Sequence, residues 1–308
     1  MPKKSKTSKK KKIIKVKRKS SFKFNPILFF IPIVISALFF GVFLFISSQF
    51  KQVVETPKTE VKKLPKEIKK EVFASSLATF RVPILLYHYI EYVQDKGDTI
   101  RQSLNINPYI FEHQIKTLSD AGYTFMTVSQ LADVLDGKRE LPKDPVLITI
   151  DDGHWDVYTD VLPILKKYNA RATVYVISGF IGYGDFLSED QLKKVIESGL
   201  VEIGSHTVHH VGLSGKFSPV VEHEVNESKK TLENNYHLKI VSFAYPGGSF
   251  DQKAIDIVKA AGYKIALSTI PGIEQTKENR FYLYRIRPGY RTGEELLKYL
   301  QQDKFRPW

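Results

Sequence analysis

From Arg81 onward, short apolar runs alternate with longer stretches in which apolar residues recur every three or four positions, the rhythm of β/α units. The apolar runs predict strands at 83–87, 124–128, 146–150, 172–177, 201–204, 241–245 and 264–267. The amphipathic stretches predict helices at about 109–121, 158–168, 189–198, 219–236 and 251–261. The punctuation agrees with this reading. Gly122, Gly199 and Gly262 sit where left-handed C-caps are expected, and Ser188 with Gln191 reads as a capping box. No internal repeat interrupts the series.

Upstream the pattern changes character. Phe24 to Phe50 is an uncharged run of 27 residues dense in Phe, Ile, Leu and Val, longer than the ~20 that span a bilayer and than the ~7–15 of a signal-peptide core. It is expected to be a transmembrane helix, with Pro32 tolerated near its start. Residues 1–23 carry 12 Lys or Arg and no acid, which by the positive-inside rule keeps them cytoplasmic and puts everything after about Lys51 outside. A cleaved signal peptide is the competing reading, with Ser47-Ser48-Gln49 a fair cleavage site. From Lys51 to Ala78 the chain is rich in Lys, Glu, Val and Pro, and Thr56-Pro57 and Leu64-Pro65 break any long helix. That composition predicts a solvated stalk. The expected organisation is a basic cytoplasmic tail (1–23), a membrane span (24–50), an extracytoplasmic stalk (51–80) and one folded domain (81–308).

Composition changes this picture in one respect. The 308 residues, 43% of them hydrophobic, suffice for one sizeable core, and with no cysteine there is neither disulfide nor thiol chemistry. The net charge of +13 would suggest nucleic acid if it were spread over the domain. It is not. Residues 1–23 account for +12 and 51–81 for +4, whereas from 82 onward the net charge is −3. A nucleic-acid partner is therefore not expected.

The candidate chemistry sits in two short segments. Thr149-Ile150-Asp151-Asp152-Gly153 and Ser205-His206-Thr207-Val208-His209-His210 each follow a predicted strand, so both fall at strand C-terminal ends, where α/β barrels keep their sites. Asp152, His206 and His210 supply three ligands for one divalent ion, with positions left open to water and a carbonyl. Asp151 is expected to project away from Asp152, because successive strand side chains alternate, and to act as the base.

These residues resemble the polysaccharide deacetylases of the NodB homology type, carbohydrate esterase family four, whose first motif reads T-F-D-D-G and whose second reads H-[ST]-x-x-x-H or a close variant. The third motif appears as Phe243-Ala244-Tyr245-Pro246-Gly247-Gly248, and Pro83-Ile84-Leu85-Leu86-Tyr87-His88-Tyr89-Ile90 resembles the opening of the branch acting on poly-N-acetylglucosamine. The likeness spans roughly residues 81–290. It implies a distorted (β/α) barrel of about seven strands, a fit with the element count above. The family spacing favours His210 over His209 as the second imidazole ligand. It implies a divalent metal, Zn with Co, Ni or Mn as alternatives, and removal of N-acetyl groups from a cell-envelope or exported polysaccharide, either peptidoglycan or poly-N-acetylglucosamine.

Two departures from the family pattern stand out. The Arg that often opens the third motif is replaced by Ala244, so Arg285 or Arg287, in Tyr284-Arg285-Ile286-Arg287-Pro288, must orient Asp151, and Arg285 is favoured. Residues 281–290 contain no His, which leaves the general acid open between the metal-bound water, His154 and His88. Tyr245, Pro246, Gly247, His88 and His154 are the expected substrate-side residues, with an oxyanion donor near Gly247. Trp155, Tyr183 and Tyr245 are candidates for a sugar-stacking floor. His113, His223 and His237 read as surface or packing residues. Alternatives are a binding protein that has kept the fold without turnover, and an O-acetyl polysaccharide esterase.

Overall fold

The computed structural model describes residues 78–95 and 97–306. The basic tail, the 24–50 run and most of the stalk lie outside the described residues; among those described, no helix is long and apolar enough to cross a membrane.

Seven strands stand side by side in a parallel ring: Ile84–Tyr87, Pro145–Ile150, Ala172–Val176, Val201–Ser205, Ser242–Ala244, Ile265–Pro271 and Leu283–Arg285. The ring is nearly closed. Among the described residues, an isolated bridge between Leu85 and Ile286 spans the seam, with the Leu86 N–H donating to the Ile286 carbonyl and the Ile286 N–H to the Ile84 carbonyl, both at 2.9 Å. The five expected amphipathic helices are Pro108–Asp120, Leu162–Tyr168, Glu189–Glu197, Ser218–Tyr236 and Gln252–Ala260. Their caps follow the sequence signals: Ser188 and Gln191 form the capping box, and Gly122, Gly199 and Gly262 all have positive φ.

Strand alternation divides the apolar residues into two buried clusters. Val146, Ile148 and Ile150 face outward with Phe111, Ile115, Val161 and Leu165 in the layer between sheet and helices. Leu147 faces inward with Ile84, Tyr175, Ala244, Ile265, Leu267 and Leu283. The inner space is tight. A β-carbon on Gly204 would overlap the Tyr175 ring, so the strand that delivers His206 must carry glycine there.

The run at 124–128 is corrected by the structure. Thr124–Met126 pairs with Pro145, Val146 and Leu147 but is not one of the seven ring strands. Helix Val128–Leu135 begins at once, and the Thr127 N–H donates to Gln130 Oε1 at 3.1 Å in a capping box. Helix capping thus overrides the strand preference of the β-branched Thr127 and Val128. This helix adds Val128, Leu131, Ala132 and Leu135 to the inner cluster. The seventh ring strand is Leu283–Arg285, too short and too polar at its end to register as an apolar run.

Candidate active site

Every candidate residue gathers where the ring strands end. Asp151 follows the strand Pro145–Ile150, with its N–H bonded to the Tyr87 carbonyl at 3.0 Å. Its carboxylate is gripped by Arg285, Nη1 to Oδ1 and Nη2 to Oδ2, both at 2.7 Å. Arg285 is itself fully buried, with Nε donating to the Ser268 carbonyl at 2.8 Å and Nη1 to Thr149 Oγ1 at 3.2 Å. Burial acts to raise the Asp151 pKa, but the Arg285 guanidinium, joined by His206 and His88, holds the carboxyl below its ordinary value. Arg285 is therefore the bidentate partner of Asp151, reaching it from the last ring strand.

The two carboxylates diverge, though not through strand pleating. The strand has already ended at Ile150, and Asp152 is left-handed at φ 76°. Thr207 and His210 are left-handed too, at φ 69° and 56°. Thr207 is β-branched, so this backbone is held against a local cost of the kind that clusters at functional sites.

Asp152 Oδ1 lies 3.4 Å from His206 Nε2 and 3.3 Å from His210 Nε2. The three ligand atoms all fall within 4.8 Å of one another. These separations exceed charge-assisted hydrogen bonds at ~2.7–2.9 Å, and Oδ1 is buried without a hydrogen-bond partner. They suit three ligands each ~2 Å from a shared ion. His206 Nδ1 donates to the Ala244 carbonyl at 2.8 Å, which leaves Nε2 with its lone pair for a metal. The set fits one divalent ion, and its mixed imidazole and carboxylate donors do not choose among Zn, Co, Ni and Mn.

His209 points elsewhere. Its Nδ1 is 2.8 Å from Glu224 Oε1, and Glu224 Oε2 accepts the Val208 and His209 N–H groups at 2.9 Å each. A buried glutamate on helix Ser218–Tyr236 therefore brackets the loop that presents His210. His210→Ala is expected to weaken metal binding by about 10²-fold or more, and His209→Ala by less than about tenfold, in competition against a chromophoric chelator. The opposite ranking would reassign the ligand.

The two remaining imidazoles differ in setting. His88 lines a cavity of about 240 Å³ with Asn105, Arg287 and Tyr290, and burial pushes its pKa down to about 4 against the opposing charges of Asp151 and Asp152. His154 is sandwiched between Tyr89 and Phe186, with ring centroids at 4.2 and 4.6 Å. Its Nε2 lies 3.7 Å from Asp152 Oδ2. Arg101 secures this wall: it covers the Tyr89 ring at 4.7 Å and pairs with Asp185 at 2.6 Å and Glu91 at 3.2 Å.

One expectation about the substrate floor is corrected. Tyr245 is fully buried, packed against Phe243 at 5.2 Å and Phe250 at 4.7 Å, because it continues an inward and outward alternation into the core. Pro246 is buried as well, and Gly247 is exposed at φ 58° in the turn Pro246–Gly248. Trp155 and Tyr183 remain exposed, at 44% and 71%.

Asp156, with no role expected from sequence, is buried behind His154, and its Oδ2 accepts the Ile90 N–H at 2.6 Å. Burial raises its pKa to about 6. The folded value is above the unfolded one, so the folded state binds the extra proton and stability falls as pH rises from about 4 to 6. Asp156→Asn is expected to remove this penalty, raising stability at pH 7 by on the order of 2 kcal/mol and flattening the pH dependence of urea midpoints. An unstabilised variant would mean that the Oδ1 carboxylate makes a compensating interaction.

Comparison with known proteins gives a consistent pattern. Residues 138–266 match the family model for polysaccharide deacetylase. The chain is 31% identical over 226 residues to YxkH, a candidate polysaccharide deacetylase of Bacillus subtilis, covering 73% of this chain and 77% of that protein. It is 29% identical over 201 residues to the poly-beta-1,6-N-acetyl-D-glucosamine N-deacetylase of Staphylococcus aureus, covering 61% of this chain and 69% of that protein. Among solved structures, Streptococcus pyogenes deacetylase PplD in complex with acetate superposes with a TM-score of 0.67 at 29% identity, covering 73% of this chain and all of that one.

Proposed function

Since this chain belongs to the polysaccharide deacetylase family, we propose that it is a metal-dependent hydrolase removing N-acetyl groups from N-acetylhexosamine residues of an envelope or exported polysaccharide. The observation that carries the reading is the buried fork between Arg285 and Asp151 set beside Asp152, His206 and His210. A bound divalent ion, most simply Zn²⁺, would supply Lewis acidity toward a water and the acetamide carbonyl. Asp152, His206 and His210 would hold it. Asp151, kept ionised and oriented by Arg285, takes the proton of the attacking water. Backbone at the exposed Gly247 turn supports the developing charge on the carbonyl oxygen.

His88 opens on the cavity beside Arg287 but, with its pKa down at about 4, is neutral near pH 7, so the proton that reaches the leaving nitrogen is the one Asp151 took from water. Trp155 and Tyr183 offer exposed ring faces to the sugar. The uncharged 24–50 run behind a Lys-rich end supports anchoring in the cell membrane with the domain outside.

The test is to strip metal from the full-length protein with a chelator, restore Zn²⁺ or Co²⁺, and follow acetate release from chitooligosaccharides and peptidoglycan. Metal-dependent release from either glycan is the expected result. Binding of glycan without release, metal restored, would favour a non-catalytic carbohydrate-binding protein.

A further inference from the structure

The His88 cavity shares Arg287 with a second cavity of about 370 Å³, whose other lining residues include Arg291, Lys304, Arg306 and Tyr299. Arg287, a wall residue of both, also interacts electrostatically with Asp151. The second falls within the ~300–1,000 Å³ of ligand pockets and has four cations and no acid in its lining. This is a local concentration, since the chain from residue 82 onward carries a net −3. Its walls are built from packed groups. Arg291 lies over the Tyr299 ring at 4.4 Å and donates from Nη1 to the Pro288 carbonyl at 2.9 Å, while Tyr299 meets Phe305 edge-on at 5.2 Å. Glu295, 3.6 Å from Arg291 Nε, is the acid that adjoins the group.

Around Arg101 the balance reverses, with Glu91, Asp98 and Asp185 as its ion-pair partners. The basic residues are thus concentrated in the lining of the second cavity. A guanidinium held as Arg291 is, with Lys304 and Arg306 adding positive charge, is suited to carboxylate and phosphate oxygens, for which a neutral glycan has no counterpart.

We propose that the catalytic cleft continues past Arg287 into a subsite for an anionic group on the same glycan chain, a carboxylate or a phosphodiester, so that the preferred substrate is an acidic N-acetylated polymer. This rests on the N-deacetylase reading above. The anion docks beside Arg291, Lys304 and Arg306 while a neighbouring N-acetylhexosamine lies over Asp151.

The test compares the full-length protein with its Arg291→Gln/Lys304→Gln variant, neither residue belonging to the catalytic set. The glycans are a peptidoglycan fragment with free carboxylates, the same fragment amidated, a glycan bearing glycerol phosphate, that glycan after phosphate removal, and a neutral chitooligosaccharide. Affinity is measured calorimetrically with metal chelated, and acetate release with metal restored. The expected result is about tenfold tighter binding of one acidic glycan than of its neutralised form, abolished in the variant and by about 1 M salt, with chitooligosaccharide unaffected. Whichever acidic glycan responds to neutralisation identifies the anion. Equal affinity for acidic and neutralised glycans, with acetate release intact, would overturn the subsite and leave the deacetylase reading standing. Charge-dependent affinity without acetate release from any glycan would do the reverse.

Discussion

Asp151→Asn is expected to lower acetate release by about 10³-fold while metal affinity stays within a few-fold of the parent protein. Asn keeps the volume and one acceptor but cannot take a proton from water, so the loss isolates base catalysis from metal binding, which is proposed for Asp152, His206 and His210. The substitution also removes the counter-charge of the fully buried Arg285, so a drop in melting temperature is expected alongside. Rates must therefore be referred to folded protein. Acetate release within tenfold of the parent would place the base elsewhere.

Arg285→Met tests the other half of the fork and is expected to cost about 3–5 kcal/mol, because a buried carboxylate is left without its cation. The pH dependence should change sign. In the parent, Arg285 depresses the Asp151 pKa below its unfolded value, so this pair stabilises above the unfolded value and that contribution is lost as pH falls through the folded one. In the variant, burial is opposed only by His206 and His88, the folded value of Asp151 rises, and the penalty disappears as the carboxyl is protonated. Urea midpoints measured between pH 8 and 5 should therefore rise with acidification in Arg285→Met. The double variant Asp151→Asn/Arg285→Met should recover stability without activity, since a matched neutral pair removes both desolvated charges. A single variant as stable as the parent would mean that the guanidinium is not what neutralises Asp151.

What the sequence made legible was what lies close together along it. Asp151 and Asp152 are adjacent, and His206 and His210 lie four apart, so a local pattern and two apolar runs sufficed to place them on one rim. The Arg285 pairing was inferred by analogy, because 134 residues separate it from Asp151 and no local rule links them. The 124–128 run does hold a strand, Thr124–Met126, but its last two residues were misread, since the β-branched Thr127 and Val128 satisfy both strand propensity and helix capping, and only the packed inner face decides. Tyr245 illustrates the same limit. An aromatic beside a glycine-rich turn is compatible with sugar stacking or with the core, and here Phe243 and Phe250 claim it. Glu224, Asp156 and the Arg287 cavities left no sequence signal at all, since each depends on which helix or loop folds back over the rim.

The seam of the ring sets an order of assembly during synthesis. Ile84–Tyr87 emerges from the ribosome near the start of the domain and Leu283–Arg285 near its end, yet these two strands must meet through Leu85 and Ile286. At ~5–20 residues per second, Asp151 waits on the order of ten seconds for the guanidinium that comes 134 residues later. Until then, burying its carboxylate is unfavourable, so the growing chain keeps an open, hydrated half-ring. A nascent or prematurely terminated product lacking the last strand would carry every proposed metal ligand and is still expected to be inert.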